Sequence, residues 1–250
     1  MTTGNRELAG KVALVTGAGR NIGRAIALEL SDAGATIAVN TRQSKEDAAA
    51  VVDEIRKRGG AAELYMADIA DGTQCRAMTA GIIERFGHID ILVLNASVRT
   101  EKPFLELTYD EWREPLSITL DGAFFLTQAC APSMIAAGGG SIVTLGGMTS
   151  LSGARRRVHG SAAKHGLVGM TRSLAREFAA DGIRVNCVAP GQMNTVRSAG
   201  RSPKHDPAGI PLGRHGEASE IATTVRFLCG PGASYITGQT IQVNGGMQMS

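Results

Sequence analysis

The sequence predicts an α/β fold: a doubly wound, seven-stranded parallel sheet with helices on both faces. Short runs of apolar residues alternate with longer amphipathic stretches along nearly the whole chain, glycines stand where those stretches stop, and no compositional break divides the 250 residues. Short apolar runs read as strands buried on both faces. Amphipathic stretches between them read as crossover helices, which make neighbouring strands parallel.

The expected strands are, in order, Val12–Val15, Thr36–Asn40, Ala61–Met66, Ile89–Leu94, Ser141–Leu145, Arg184–Val188 and Thr240–Val243. A glycine-rich turn leads from the first strand into a helix predicted over Asn21–Ala33 and stopped at Gly34. A second helix, Lys45–Lys57, ends at Gly59-Gly60. Further along, Thr108-x-x-Glu111 is a capping box opening a helix that carries Trp112 and Thr119, and Pro115 inside it should kink that helix. Lys164 lies near the start of a later helix, in Ser161-Ala162-Ala163-Lys164-His165-Gly166. Gln192–Pro211, proline-bearing and of mixed charge, fits no element. It is expected to be a substrate lid, with a plain surface loop as the alternative. Residues 1–250 read as one domain.

Composition narrows the function. Hydrophobic residues make up 43% and charged residues 20%, ordinary for a soluble globular chain, and the net charge of +3 comes from scattered basic residues. A nucleic-acid partner is therefore not expected, since that needs a concentrated basic face. No apolar run reaches membrane-spanning length and the first residues lack an apolar signal core, so a cytoplasmic protein is expected. Cysteines 75, 130, 187 and 229 form no metal-binding spacing and read as small buried residues in a reducing compartment.

Thr16-Gly17-Ala18-Gly19-Arg20-Asn21-Ile22-Gly23 joins a strand to a helix. Helix N-termini carry unpaired N–H groups and partial positive charge, and glycines let a pyrophosphate approach the backbone. Together with His159-Gly160-Ser161-Ala162-Ala163-Lys164, this segment resembles the short-chain dehydrogenase/reductase family from about Leu8 to Met247, most closely its 3-oxoacyl-carrier-protein reductases.

The resemblance implies a Rossmann-type fold and a nicotinamide dinucleotide held by Gly17, Gly19, Arg20, Asn21, Ile22 and Gly23. It adds Asp68 at the adenine, Asn95 and Ala96 in the turn beside it, Lys164 on the ribose, and Pro190, Gly191 and Thr195 at the carboxamide. Thr41 stands where NAD-preferring relatives keep an acid, and Arg42 follows. With Arg20, Arg42 suits a 2′-phosphate, so NADP(H) is expected over NAD(H), or no cofactor if the chain is a pseudoenzyme.

The same resemblance exposes a gap. The family's catalytic Asn, Ser, Tyr and Lys fall on Thr119, Gly147, Gly160 and Lys164, so only the lysine is present. One slip in the loop would bring Thr149 or Ser150 to the serine position. His159 is a candidate substitute acid, but it lies five residues before Lys164, rotated off its helix face, and a surface or capping role is the simpler expectation. Arg155-Arg156-Arg157 lies at the family's substrate mouth and either draws an anionic small molecule such as an acyl-CoA or is merely solvated. Leu212–Gly246 resembles the tetramer-forming end of the family. Two functions follow. One is a non-catalytic or weakly active subunit beside an active paralogue in a homo- or heterotetramer. The other is an atypical reductase or non-redox enzyme using His159 and Lys164.

Overall fold

The strands form where the apolar runs lie. In the computed structural model, which describes residues 6–196 and 207–249, β1 (Val12–Val15), β2 (Thr36–Thr41), β3 (Ala62–Met66), β4 (Ile91–Leu94), β5 (Gly140–Leu145), β6 (Ile183–Pro190) and β7 (Thr240–Val243) make one sheet, ordered β3-β2-β1-β4-β5-β6-β7. All of its pairings are parallel. Ile89 and Asp90, expected inside the fourth strand, precede it. The buried Asp90 carboxylate instead accepts from the Val12 amide at 2.9 Å and from Lys11 Nζ at 2.9 Å, tying the sheet's amino-terminal edge.

Between the strands run α1 (Asn21–Asp32), α2 (Lys45–Lys57), α3 (Gly72–Phe86), α4 (Tyr109–Leu116), α5 (Gly122–Ala136), α6 (Met148–Ser152), α7 (Val158–Glu177) and α8 (Ala218–Cys229). Successive side chains on a strand point to opposite faces. Ala13 and Val15 therefore join the core under α1, α2 and α8, while Val12 and Leu14 join the core under α3, α5 and α7. Both faces are covered, which is why β1 carries no polar residue.

The chain moves outward from β1 to β2 and β3, then returns to place β4 on the other side of β1. At that reversal the loops after β1 and β4 diverge and leave a crevice at the carboxyl ends of the strands. The site is built there.

The kink expected at Pro115 takes a specific form. The capping box at Thr108 and Glu111 forms as expected, α4 ends at Leu116, and a π-helical turn over Ser117–Asp121 carries the chain into α5. Proline has no N–H to give and its ring crowds the carbonyl one turn back, at Glu111, and the wider turn begins two residues beyond it. Of the expected lid, residues 197–206 lie outside the described residues. Its root is clipped down: Asn194 N donates to Gly216 O at 2.7 Å and Gly216 N to Gln192 O at 3.0 Å. Beyond the gap, Pro207–Gly209 forms a short 3-10 turn and Ile210 is buried.

Candidate functional site

The glycine-rich loop is held rigid by the loop after β4. Buried Thr16 accepts through Oγ1 from the amides of Asn95 and Ala96, at 3.0 and 3.1 Å. In return the Asn95 side-chain amide donates to the carbonyls of Thr16 and Gly17, at 2.9 and 3.2 Å. Gly17 has φ +61°, a left-handed conformation that favours glycine, and a methyl group on Gly23 would lie 2.2 Å from Gly17 O. No side chain caps the start of α1 and no acid sits in its first turn. Its leading N–H groups and the helix dipole are thus available to an anion.

Asn21 adopts φ +50°, tolerable for asparagine. Its side chain does something the sequence did not foretell. Nδ2 donates to Val196 O at 2.8 Å and Oδ1 accepts from Val196 N at 3.1 Å, so the phosphate loop clasps the root of the excursion across the cleft.

The cleft has a volume of about 780 Å³ and is lined by Gly17, Gly19, Arg20, Asn21, Ile22, Gly23, Arg42, Asp68, Asn95, Ala96 and Thr195. Those eleven expected binding residues come together around one space, whereas Lys164, Pro190 and Gly191 do not line it. Arg42 and Asp68, assigned to opposite ends of an adenosine, instead face each other, with Nη1 3.4 Å from Oδ2. That long, half-exposed pair is weak. Thr100, Glu114 and Val196 also line the cleft. They lie in loops and on a helix flank, where no spacing rule marks them in a sequence.

On α7, Lys164 Nζ donates to Leu145 O at 2.5 Å, and burial pushes its pKa down to about 8. One turn earlier is Gly160, where an added Cβ would meet nothing within 4 Å. Gly147, at the start of α6, has φ 168°, extended backbone that any residue adopts, and is equally open. Thr119 is buried in the π-helical turn. Thr149 lies in α6, and the Ser150 side chain is outside the described residues.

The surface role expected for His159 is overturned. The ring is 1% exposed, on the inward stripe of α7 with Ala163 and Leu167, and its Nε2 lies 2.6 Å from Thr100 Oγ1. Position 159 falls about 100° from Gly160 around the helix, which turns it into the protein rather than to solvent. Burial, then Arg157, holds its pKa below the ordinary value, with Glu111 and Glu114 opposing.

Arg155 and Arg156 are exposed, as the solvated reading expects, and the backbone carbonyl of Arg156 accepts from the Lys102 amide at 2.8 Å. All four cysteines are free and buried, and burial pushes the thiols of Cys130 and Cys229 up to about 12, which disfavours their thiolates. Among the described residues, no helix is long and apolar enough to cross a membrane.

Comparison with known proteins fits this geometry. The family profile described as enoyl-(acyl carrier protein) reductase matches residues 17–248. The chain is 40% identical over 242 residues to the 3-oxoacyl-[acyl-carrier-protein] reductase FabG of Staphylococcus aureus, covering 96% of this chain and 98% of that one. It belongs to the short-chain dehydrogenase/reductase family. A solved structure described as a short-chain alcohol dehydrogenase from Sinorhizobium meliloti 1021 superposes with a TM-score of 0.92 at 40% identity, over 97% of this chain and 98% of that one. Another, described as an NAD(P)-dependent gluconate 5-dehydrogenase from Beutenbergia cavernae with bound NADP, superposes at 0.90 and 37%, over 98% and 99%.

The cleft of this family member suits an extended dianionic ligand. Glycines 17, 19 and 23 line it, an uncapped helix start faces it, and Arg20 and Arg42 flank it.

Proposed function

We propose that this chain binds NADP(H) in the crevice between the loops after β1 and β4, and that its own carbonyl-reducing turnover is weak. Its place is then as a subunit beside an active family member. The observation that carries the second half is Gly160. Above Lys164 there is open space rather than a hydroxyl, so no phenol stands ready to protonate a developing alkoxide.

A bound nicotinamide dinucleotide would supply or accept the hydride. The chain's residues would do the rest. The start of α1 and the loop amides would hold the pyrophosphate, Asp68 and the Asn95-Ala96 turn the adenosine, and Pro190, Gly191 and Thr195 the carboxamide. Lys164 Nζ would turn to the ribose hydroxyls. NADP(H) is favoured over NAD(H) because Thr41 leaves no acid beside the 2′ position and, among the described residues, the Arg42 guanidinium is tied only to Asp68, at 3.4 Å. A guanidinium gains more from a dianionic phosphate than from that contact. The NADP-bound relative supports the same choice.

Several expectations extend the reading. Relatives named for acyl-carrier-protein substrates, with exposed Arg155 and Arg156, favour an anionic acyl thioester as substrate class. The strand β7 ends the sheet with all four residues partly exposed. An unpaired edge invites a neighbour, which supports a homo- or heterotetramer. Free buried thiols support a cytoplasmic setting.

Isothermal calorimetry with NADPH and NADH tests the core of this. Tighter binding of NADPH is expected, weakened by Arg42→Ala. A chain that binds neither nucleotide ends the proposal. The second function, an enzyme with a different proton route, gains one specific support: the buried imidazole of His159 reaches the cleft through Thr100.

A further inference from the structure

Thr100 and His159 form a pair that no family assignment covers. The Thr100 side chain lies on the cleft wall, in the loop after β4 at the sheet's reversal point, where this architecture binds its ligands. Behind it, 2.6 Å away, sits an imidazole 1% exposed. The other ring nitrogen, Nδ1, is buried with no partner among the described residues.

We propose that Thr100 and His159 act as the proton-accepting pair of this site, Thr100 touching the substrate hydroxyl and His159 receiving the proton behind it. The inference rests on the nucleotide-binding reading above and is written for the oxidation of a secondary alcohol, the same pair serving the reverse step.

The proton bookkeeping is closed. The substrate O–H proton passes to Thr100 Oγ1 as the Thr100 proton passes to His159 Nε2. The carbinol C–H bond would break with its electron pair leaving as hydride, which a bound oxidised nicotinamide dinucleotide would accept. The C–O bond becomes C=O, and His159, now imidazolium, returns its proton through Thr100 to the open cleft.

The resting protonation of His159 follows from its surroundings. Burial and Arg157 disfavour its charged form, while Glu111 and Glu114 favour it. Glu111 is already engaged by Lys102, whose Nζ lies 2.6 Å from Oε1, and by the Thr108 amide at 2.9 Å. The ring is therefore neutral at pH 7. A neutral imidazole has a lone pair to accept a proton and no acidic proton to offer an alkoxide.

The test follows hydride transfer from 3-hydroxybutyryl-CoA to NADP⁺ in single turnover between pH 5 and 9, for wild type, Thr100→Ser, Thr100→Val and His159→Gln. NADP⁺ affinity is measured on each. Wild type is expected to rise with pH through one ionisation at or below the ordinary histidine value. Thr100→Ser should keep that profile, while Thr100→Val and His159→Gln lose about 10²–10⁴-fold, the range of an acid–base group, and flatten it, with NADP⁺ affinity unchanged. A second readout needs no turnover. In the ¹⁵N spectrum of the nucleotide-free protein, Thr100→Val should shift the His159 ring titration and Thr100→Ser should not. Thr100→Val acts on an exposed residue, so it stays informative if His159→Gln misfolds. Turnover and pH profile indifferent to Thr100→Val overturn the pair, as does a wild type that binds NADP⁺ but transfers no hydride. A wild type that fails to bind NADP⁺ overturns the nucleotide reading as well.

Discussion

Replacing Gly23 by alanine puts one methyl group into the most crowded point of the phosphate loop. The new Cβ would stand 2.2 Å from Gly17 O, 2.6 Å from Asn95 Nδ2 and 2.9 Å from Gly17 C, against a practical limit of 3.0 Å. About 0.8 Å must open between α1 and rigid backbone, a cost of about 1–3 kcal/mol for overpacking. The same shift pulls the Asn95 amide from the Thr16 and Gly17 carbonyls, about 0.5–1.5 kcal/mol for each bond. Alanine recovers about 1 kcal/mol of helix propensity, so the net loss is about 1–5 kcal/mol. Gly19→Ala is the control: its Cβ would approach Ala48 N only to 3.3 Å, within what a small adjustment absorbs. Urea unfolding of both variants, with NADPH titration beside it, reads the difference. If Gly23→Ala unfolds within about 0.5 kcal/mol of Gly19→Ala and binds NADPH like wild type, the cradle argument is wrong.

Gly160→Tyr should fold normally, because its Cβ meets nothing within 4 Å, and should raise NADPH-dependent carbonyl reduction about 10²–10⁴-fold; an unchanged rate in a steady-state assay counts against a missing acid. Asn21→Gly keeps the left-handed backbone but removes both bonds to Val196. Stopped-flow displacement should show NADPH leaving about tenfold faster, and a rate equal to wild type refutes the clasp. The Lys164 amine, lowered from 10.5 to about 8 by burial, binds its proton less tightly folded than unfolded. Between those two values the unfolded state holds the extra proton, so stability should rise with pH across that window. Lys164→Met should abolish that slope in urea titrations. Arg226 joins Glu7 at 2.9 Å and Glu29 at 3.1 Å between α8 and α1. Arg226→Met should cost about 1–3 kcal/mol at pH 7 by leaving two carboxylates facing each other, and less at pH 4, where protonation relieves them.

Much of the fold was legible because its signals are local. Val12–Val15 is apolar throughout since both sheet faces are covered, and Gly34 and Gly59 stop helices because each takes a positive φ, +102° and +83°. The phosphate loop was legible for the same reason: glycines, strand and helix start are contiguous. Pro115 announced a disturbance, but only the packed helix decided that it would emerge as a π-helical turn at Ser117–Asp121. His159 was misjudged. Sequence spacing says which way a side chain leaves its helix, not what waits there, and here Thr100, 59 positions away, receives it.

By itself the sequence determined the strand and helix repertoire, the glycine cradle and the absence of a phenol at position 160, all carried by neighbours along the chain. Tertiary structure alone decided that Arg42 meets Asp68, that Asn21 grips Val196 and that Thr100 covers His159. Those contacts join residues 26, 175 and 59 positions apart. No local propensity encodes them, because they exist only once the sheet order has brought separate loops to one edge.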